Sequence, residues 1–569
     1  MEQRNVILAL VLSMAILIGF QLLFPTPRPV PPEQQNFEVT ETAPPAAVTA
    51  PAPAVVAPRE EVVAAAARVT INSPRVQGSL SLQGGRIDDL RLRDYRETIE
   101  PESPLVVLLS PPGSAGAYYG EFGWVAPPGT SVAVPGADTV WRATSNELTP
   151  TTPVTLTWDN GAGVRFVRIV GIDENYMFTI TDRVENTTGA AVTLYPYGLV
   201  SRTGTPATQG FFILHEGPLG VMEAHLVEFS YEDLKEDGPQ TMRSTGGWLG
   251  ITDKYWLVAV IPDQTQPVEA GFRYANVGGD KYQTDFRREA ITVAAAGDAE
   301  VRHMFFAGAK EVATLEGYQD NQGVVRFDLA IDWGWFFFLT KPIFKAIDWL
   351  YRLTGNFGIA IIVFTIFMRA LFFPLANKSF KSMAGMRKIQ PEIMKVRELY
   401  ANDRERQTKE MMELYRKESV NPLSGCMPIL VQIPVFFALY KVLFVTIEMR
   451  HAPFYGWIKD LSAPDPTNLF TLFGLIPWDP PGFLLVGIWP LLMGISMFVQ
   501  QKLNPAPPDP IQQKIFMLLP IVFTFILAPF PAGLVIYWTV NNVLSMAQQW
   551  VIIRRVERAG PAKAKKSAT

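Results

Sequence analysis

Cysteine and histidine are scarce in this 569-residue chain, which has one cysteine, Cys426, and four histidines, His215, His225, His303 and His451. A lone cysteine excludes an internal disulfide framework and any thiolate-rich metal or cluster site. The histidines show no i, i+4 ligand spacing, so zinc chemistry has no support. Charge is thin too, at 18% of residues against 48% hydrophobic. That balance argues against disorder and against an ordinary soluble enzyme. The length exceeds what one hydrophobic core usually serves, so more than one folding unit is expected. Residues 25–340 hold 23 Lys and Arg against 39 Asp and Glu, a net charge of −16, while the remainder nets +12. An acidic soluble part repels phosphates, which disfavours a nucleic-acid binder built on it.

What the chain has in quantity is long apolar runs. A membrane span takes about 20 mainly apolar residues. Residues 6–24 are uncharged and follow Arg4. A signal peptide competes with an uncleaved anchor here, and the run's length and the missing small-residue cleavage site favour the anchor. Further windows lie at 357–375, with Arg369 as its one charge, at 419–440 and at 482–501. The 39 uncharged residues of 515–553 suit two spans, broken at Pro529-Phe530-Pro531-Ala532-Gly533, where proline and glycine stop a helix. Six helices are expected. The segment 377–421 has 11 Lys and Arg, and the tail beyond 553 is basic, which places both inside and the acidic 25–340 region outside.

Ten prolines in 25–58 read as an extended tether. From Arg68, short runs of near period two, such as 164–170 and 176–184, alternate with turn signals and predict a large antiparallel β-sandwich. Its tryptophans (Trp124, Trp141, Trp158, Trp248, Trp256) fit core packing better than a sugar-binding face. Aromatic and cationic residues mixed over 332–352 suit a helix lying in the headgroup zone. Residues 378–400 and 404–417, split by Ala401-Asn402-Asp403, predict a helical hairpin. Its methionines (Met383, Met386, Met394, Met411, Met412) form either a soft client surface or the packing between the two helices.

Arg369 stands inside its span, and no Asp or Glu lies within any of the six spans. A membrane-buried cation costs from about 2.5 kcal/mol upward, so it must snorkel, pair or face water. Snorkelling is available, because the inner end is one to two turns away. Thr365, one turn outward on the same face, extends a polar stripe into the bilayer. Gln432, Thr524, Thr539, Asn541, Asn542, Gln548 and Gln549 add polar side chains, which favours a hydrated groove between helices. Proton- or cation-coupled transport normally needs a membrane carboxylate, and none is present. A permanently charged guanidinium suits an acidic or polar peptide segment instead. A polytopic transporter with an external β receptor domain is the alternative that the residues leave open.

Several strings now carry a resemblance. They are Thr365-Ile366-Phe367-Met368-Arg369 with Phe373-Pro374-Leu375, Met383-Ala384-Gly385-Met386-Arg387, Asn421-Pro422-Leu423-Ser424-Gly425-Cys426-Met427-Pro428, Gln432-Ile433-Pro434-Val435-Phe436, Asp509-Pro510-Ile511-Gln512-Gln513-Lys514 and Phe530-Pro531-Ala532-Gly533-Leu534. In this order and spacing they resemble the YidC family of membrane protein insertases of Gram-negative bacteria along essentially the whole chain. The resemblance implies a multi-pass inner-membrane protein with both termini cytoplasmic. It would insert and help fold membrane proteins, alone or with the Sec translocon, without covalent catalysis, metal or cofactor. The implied client-binding groove holds Arg369, Thr365, Gln432 and Trp538, beside a hydrophobic slide of Ile433, Pro434, Phe436 and Tyr537, which Trp538 joins. Relatives often carry Tyr-Tyr where this chain has Tyr537-Trp538, so an altered slide shape is expected. Implied partners are nascent clients, the SecDF accessory proteins, ribosomes, signal-recognition components and lipids. The outer sandwich is expected to resemble sugar mutarotases without their activity.

The expected organisation is an anchor at 1–24, a Pro/Ala-rich linker at 25–67, a periplasmic β-sandwich at 68–330 and an interfacial amphipathic helix at 331–353. A second transmembrane helix at 354–376, a cytoplasmic helical hairpin at 377–418 and a third transmembrane helix at 419–441 follow. Then come a periplasmic loop at 442–481, a fourth helix at 482–502, a short cytoplasmic loop at 503–514, the fifth and sixth helices at 515–553 and a basic tail at 554–569. This topology puts Ser382 inside and Ser462 outside. Single cysteines at these positions, in a Cys426-free background, should label from opposite sides of the membrane. Equal labelling from outside would overturn the six-span arrangement.

Overall fold

The computed structural model describes residues 57–208, 214–276, 278–418, 420, 427–472, 475–478, 480–481, 484–504 and 510–558. The anchor expected at 1–24, the first part of the linker and the end of the tail lie outside the described residues. The chain divides into two compact units, Met1–Trp335 and Phe336–Thr569.

The first unit is built on an eleven-stranded and a nine-stranded sheet. Val192–Thr203 is central in the larger sheet, between Tyr118–Val125 and Asp280–Arg288. Asp298–Ala309 is central in the smaller, between Trp256–Ile261 and Met177–Asn186. Along Met177–Asn186 the even-numbered residues Phe178, Ile180, Asp182, Val184 and Asn186 are buried, the period of two that a half-covered strand requires. The sheets pack face to face, with the Phe122 and Phe305 rings 6.0 Å apart edge to face. Gly120 permits that approach, since a Cβ there would fall 2.4 Å from the Phe305 ring. Trp124, Trp141 and Trp248 are buried in the core. Among the described residues the strand pairs are antiparallel except one, Arg68–Asn72 with Glu147–Leu148.

Part of the expected linker is folded. Helix α1, Arg59–Ala65, lies within 25–67; Glu60 and Glu61 occupy its first turn, favoured by the helix dipole, and Arg59 pairs with Asp89. Among the described residues the unit also holds the α-helices α2 (Tyr231–Glu236) and α3 (Val312–Gln322). Deep in the smaller sheet, Arg168 and Asp182 sit opposite each other on neighbouring strands, with side chains 1% and 3% exposed. Arg168 Nε and Nη2 donate to the two carboxylate oxygens at 2.7 and 3.1 Å, and Nη1 donates to the Gly85 carbonyl at 3.2 Å. A buried pair of this kind is tolerated because every charge finds a partner.

The second unit is helical. Helix α4 (Phe337–Thr354) ends at Gly355, whose φ of 69° closes it in the left-handed region. Helix α5 (Phe357–Leu371) opens with Asn356, whose side chain accepts from the Ile359 N–H at 3.1 Å. At Phe372 the chain bends by 67° into α6 (Phe373–Leu399), with Pro374 in its first turn. The helix expected over 354–376 thus breaks at 372, and the long helix of the expected hairpin starts at 373. Asp403 caps α7 (Arg404–Lys417). The return is antiparallel: Gln407 bonds the Arg397 carbonyl near the turn, and farther along a Cβ on Gly385 would meet Val420 at 3.1 Å. Then follow α8 (Met427–Val445), α9 (Ile488–Leu503), α10 (Pro510–Leu527) and α11 (Ala532–Arg558). Helix α9 begins six residues later than the expected 482, after Pro480 and Pro481. Among the described residues no single helix is long and apolar enough to cross a membrane; α5 and α6 reach that measure only as the bent pair.

Two histidines of the sandwich work against it in acid, opposed in part by Asp88, whose carboxyl burial raises to about 6. His303 is wholly buried between the rings of Phe122 and Phe286, and neither ring nitrogen has a partner among the described residues. Burial pushes its pKa down to about 3 and that of His215 to about 4. The unfolded chain protonates these rings near pH 6.5, whereas the folded chain keeps them neutral, so stability should be lost as pH falls from about 6.5 toward 4. Urea midpoints of the β domain should therefore drop over that interval. His303→Leu should flatten the profile, and an unchanged slope in that variant would refute the assignment.

Candidate functional site

The site lies in the helical unit, and two features of its surroundings frame it. The first is an apolar skin. Ile366, Phe367 and Leu371 on α5, Phe437 on α8, and Ile515 and Ile521 on α10 are exposed. Apolar exposure on this scale does not suit water. The second is a cap at one end of the helices. The Ala532 and Gly533 N–H groups at the start of α11 donate to the Ala463 and Leu461 carbonyls at 2.7 and 3.0 Å. Asp465 accepts from the Trp489 N–H of α9 at 2.8 Å and from Trp457 Nε1 at 3.1 Å. Ile458 and Leu461 are fully buried beneath this loop.

Toward the other helix end opens a pocket between α5, α6, α8 and α11. Thr365, Arg369, Gln432, Tyr537 and Asn541 supply its polar groups, and Met368, Phe372, Leu375, Ala376 and Val435 the rest. Its interior offers about 40 Å³ to the centres of water molecules, space for a few waters. Arg369 is half-buried, with Nε donating to Asn541 Oδ1 at 2.7 Å and Nη2 to the Asn541 carbonyl at 3.2 Å and to Ser545 Oγ. These partners are all neutral, and no carboxylate joins them among the described residues. The hydroxyls beside the guanidinium are committed to their own helices: Thr365 donates to the Ile361 carbonyl and Ser545 to the Asn541 carbonyl, both at 2.6 Å. Each therefore presents an oxygen lone pair outward.

Of the residues singled out from the sequence, the pocket gathers Arg369, Thr365, Gln432, Tyr537 and Asn541. Trp538 is not in its lining. It packs on Phe436 with ring centres 4.6 Å apart and on Phe523 at 5.7 Å, beside Met493, Leu527 and Val535. Neighbouring helix residues point about 100° apart, so Tyr537 and Trp538 cannot share one wall. Ile433 and Pro434 are exposed on α8. Ser545 was missed by sequence reasoning; its spacing from Tyr537 and Asn541, eight and four residues on one helical face, is the signal that finds it.

A β-rich unit followed by helices with an apolar skin and a pocket that holds a cation defines a membrane protein of two parts, and family models likewise divide the chain in two. Residues 68–346 match the YidC periplasmic domain and residues 349–559 the 60Kd inner membrane protein. The membrane protein insertase YidC of Methylobacterium nodulans is 49% identical over 97% of this chain and 95% of its own length. That of Methylorubrum extorquens is 52% identical over 86% and 81%, and that of Granulibacter bethesdensis 49% over 99% and 100%. This chain belongs to the YidC family of inner-membrane protein insertases, with a periplasmic β-rich domain and a helical C-terminal region. A solved active YidC insertase aligns over 95% of this chain and 98% of its own at 16% identity and a TM-score of 0.37. A galactose mutarotase-like protein from Lactobacillus casei aligns over 42% of this chain and 100% of its own at 7% identity and 0.30. Likenesses this distant carry neither fold nor activity to the chain.

Proposed function

We propose that this chain inserts membrane proteins, and assists their folding, by lodging the polar segment of a client hairpin in the Arg369 pocket while the adjoining apolar segment moves into lipid along α8 and α11. The observation that carries this reading is a guanidinium held among neutral partners in a water-sized pocket, beside helix faces that expose Ile433 and Phe437. The helices cross the inner membrane with the loop capping α9 and α11 outside, the α6–α7 hairpin at the cytoplasmic entrance, and both termini inside. A polar pocket within the apolar layer shortens the thickness that a polar segment must cross unsolvated. Partitioning of the apolar segment into lipid then drives release, and no nucleotide, metal or covalent step is required.

On this reading the basic hairpin and tail meet ribosomes and signal-recognition components by attraction to RNA and acidic surfaces. The Sec translocon and the SecDF accessory proteins share clients with it. Reconstitution of the chain alone separates this reading from a transporter: insertion of a small single-span client supports insertase action, and substrate-driven ion flux supports transport.

The sharper test is electrostatic. At about 4 Å, unit charges interact by about 1 kcal/mol in water and about 4 kcal/mol at an effective dielectric of 20. A partly hydrated pocket falls between these limits, enough to bias entry without trapping. Arg369→Lys should keep substantial activity, because the charge remains. Arg369→Ala should lower insertion of clients with acidic outer segments and Arg369→Glu should lower it further, while clients with neutral segments depend on it less. Protease protection of client pairs differing only in those acids reads the effect. Equal insertion of both clients by Arg369→Glu, at normal abundance, would refute the mechanism.

A further inference from the structure

We propose that Asn541 and Ser545 are positioning residues which clamp one edge of the Arg369 guanidinium and thereby set where its charge meets a client, an inference that rests on the groove reading above. Arg369 lies three residues before the bend at Phe372. Its stem is flexible, and a free head would follow the bend toward water, as long cationic side chains do near helix ends. The contacts described above prevent this. Nε and Nη2 are the two donors on one edge of the planar group, and both are taken, by the Asn541 side chain, the Asn541 carbonyl and the Ser545 hydroxyl. Nη1 has no partner among the described residues, so its two N–H groups are the ones left for a client carboxylate.

The clamp is made of acceptors that carry no charge. Ser545 gives its own hydrogen to the Asn541 carbonyl at 2.6 Å, which fixes its oxygen as the acceptor for Arg369. Asn541 and Ser545 are both buried, four residues apart on one face of α11, so one rigid helix supplies the whole edge. A carboxylate at 541 would reach the same atoms and cancel the field. An alanine there would leave the field but release the head. The residue types present thus orient the cation while keeping its charge available.

The test uses full-length protein in proteoliposomes with two clients that differ only in acidic residues of the outer segment. Asn541→Ala with Ser545→Ala should lower insertion of the acidic client about three- to ten-fold relative to the neutral one, the size of a typical net hydrogen-bond contribution. The same pair of changes on an Arg369→Ala background should add no further client-selective loss. Asn541→Asp should abolish the preference for the acidic client while melting at or above the temperature of the unmodified protein. Ser545→Ala alone, expected to show a smaller loss of the same selectivity, serves if the double variant does not accumulate. An equal fall for both clients, or a full additional loss on the Arg369→Ala background, would show a merely structural role and overturn the proposal. If Arg369→Ala treats the clients alike, the groove reading falls with it. If Arg369→Ala discriminates and the clamp variants do not, only the positioning role falls.

Discussion

A cation for which the described residues offer no carboxylate partner is the constraint around which the helical unit is arranged. Desolvating a guanidinium costs from about 2.5 kcal/mol upward in a bilayer. The fold meets that cost with neutral acceptors on α11 and with a pocket that admits water. The bend at Phe372 brings Leu375 and Ala376 of α6 into the pocket wall. The loop over the starts of α9 and α11 ties the helix ends away from the pocket through main-chain bonds and Asp465.

The β unit solves the opposite problem. Arg168 is almost wholly buried in the sandwich, yet Asp182 matches it edge to edge and the Gly85 carbonyl accepts from its third nitrogen. That arginine is spent on the fold, since losing its partner would strand a charge at a cost of about 3–5 kcal/mol. The same residue type therefore serves two purposes in one chain. What separates them is whether the acceptors on hand carry a charge.

Much of this was legible from the residues alone. Period-two runs at 164–170 and 176–184 pointed to the strands Val164–Ile172 and Met177–Asn186, each short of the observed C-terminal end by two residues. The proline and glycine of 529–533 marked the gap between α10 and α11. Arg369 announced itself as an isolated charge in an apolar run. What the sequence hid were features set by tertiary contact. Helix α1 is tied down by a partner of Arg59 thirty residues away, Asp89. The late start of α9 follows from Asp465 and Thr467, which hold the Trp489 and Ile488 N–H groups. Trp538, which the resemblance placed both in the groove and on the slide, packs on Phe436 and lies outside the pocket lining.

The back-bonded hydroxyls bear on promiscuity. Thr365 gives its hydrogen to its own helix and so meets the pocket as an acceptor, while the back-bonded Ser545 oxygen accepts from Arg369. An unfolded peptide carries an N–H at every residue except proline, and each needs an acceptor once it leaves bulk water. A wall that shows oxygen lone pairs can satisfy such groups, directly or through water, whatever side chains flank them. On the proposed reading, such a wall recognises what all polypeptides share. Arg369 then adds a bias for particular sequences on top of a surface that is indifferent to sequence.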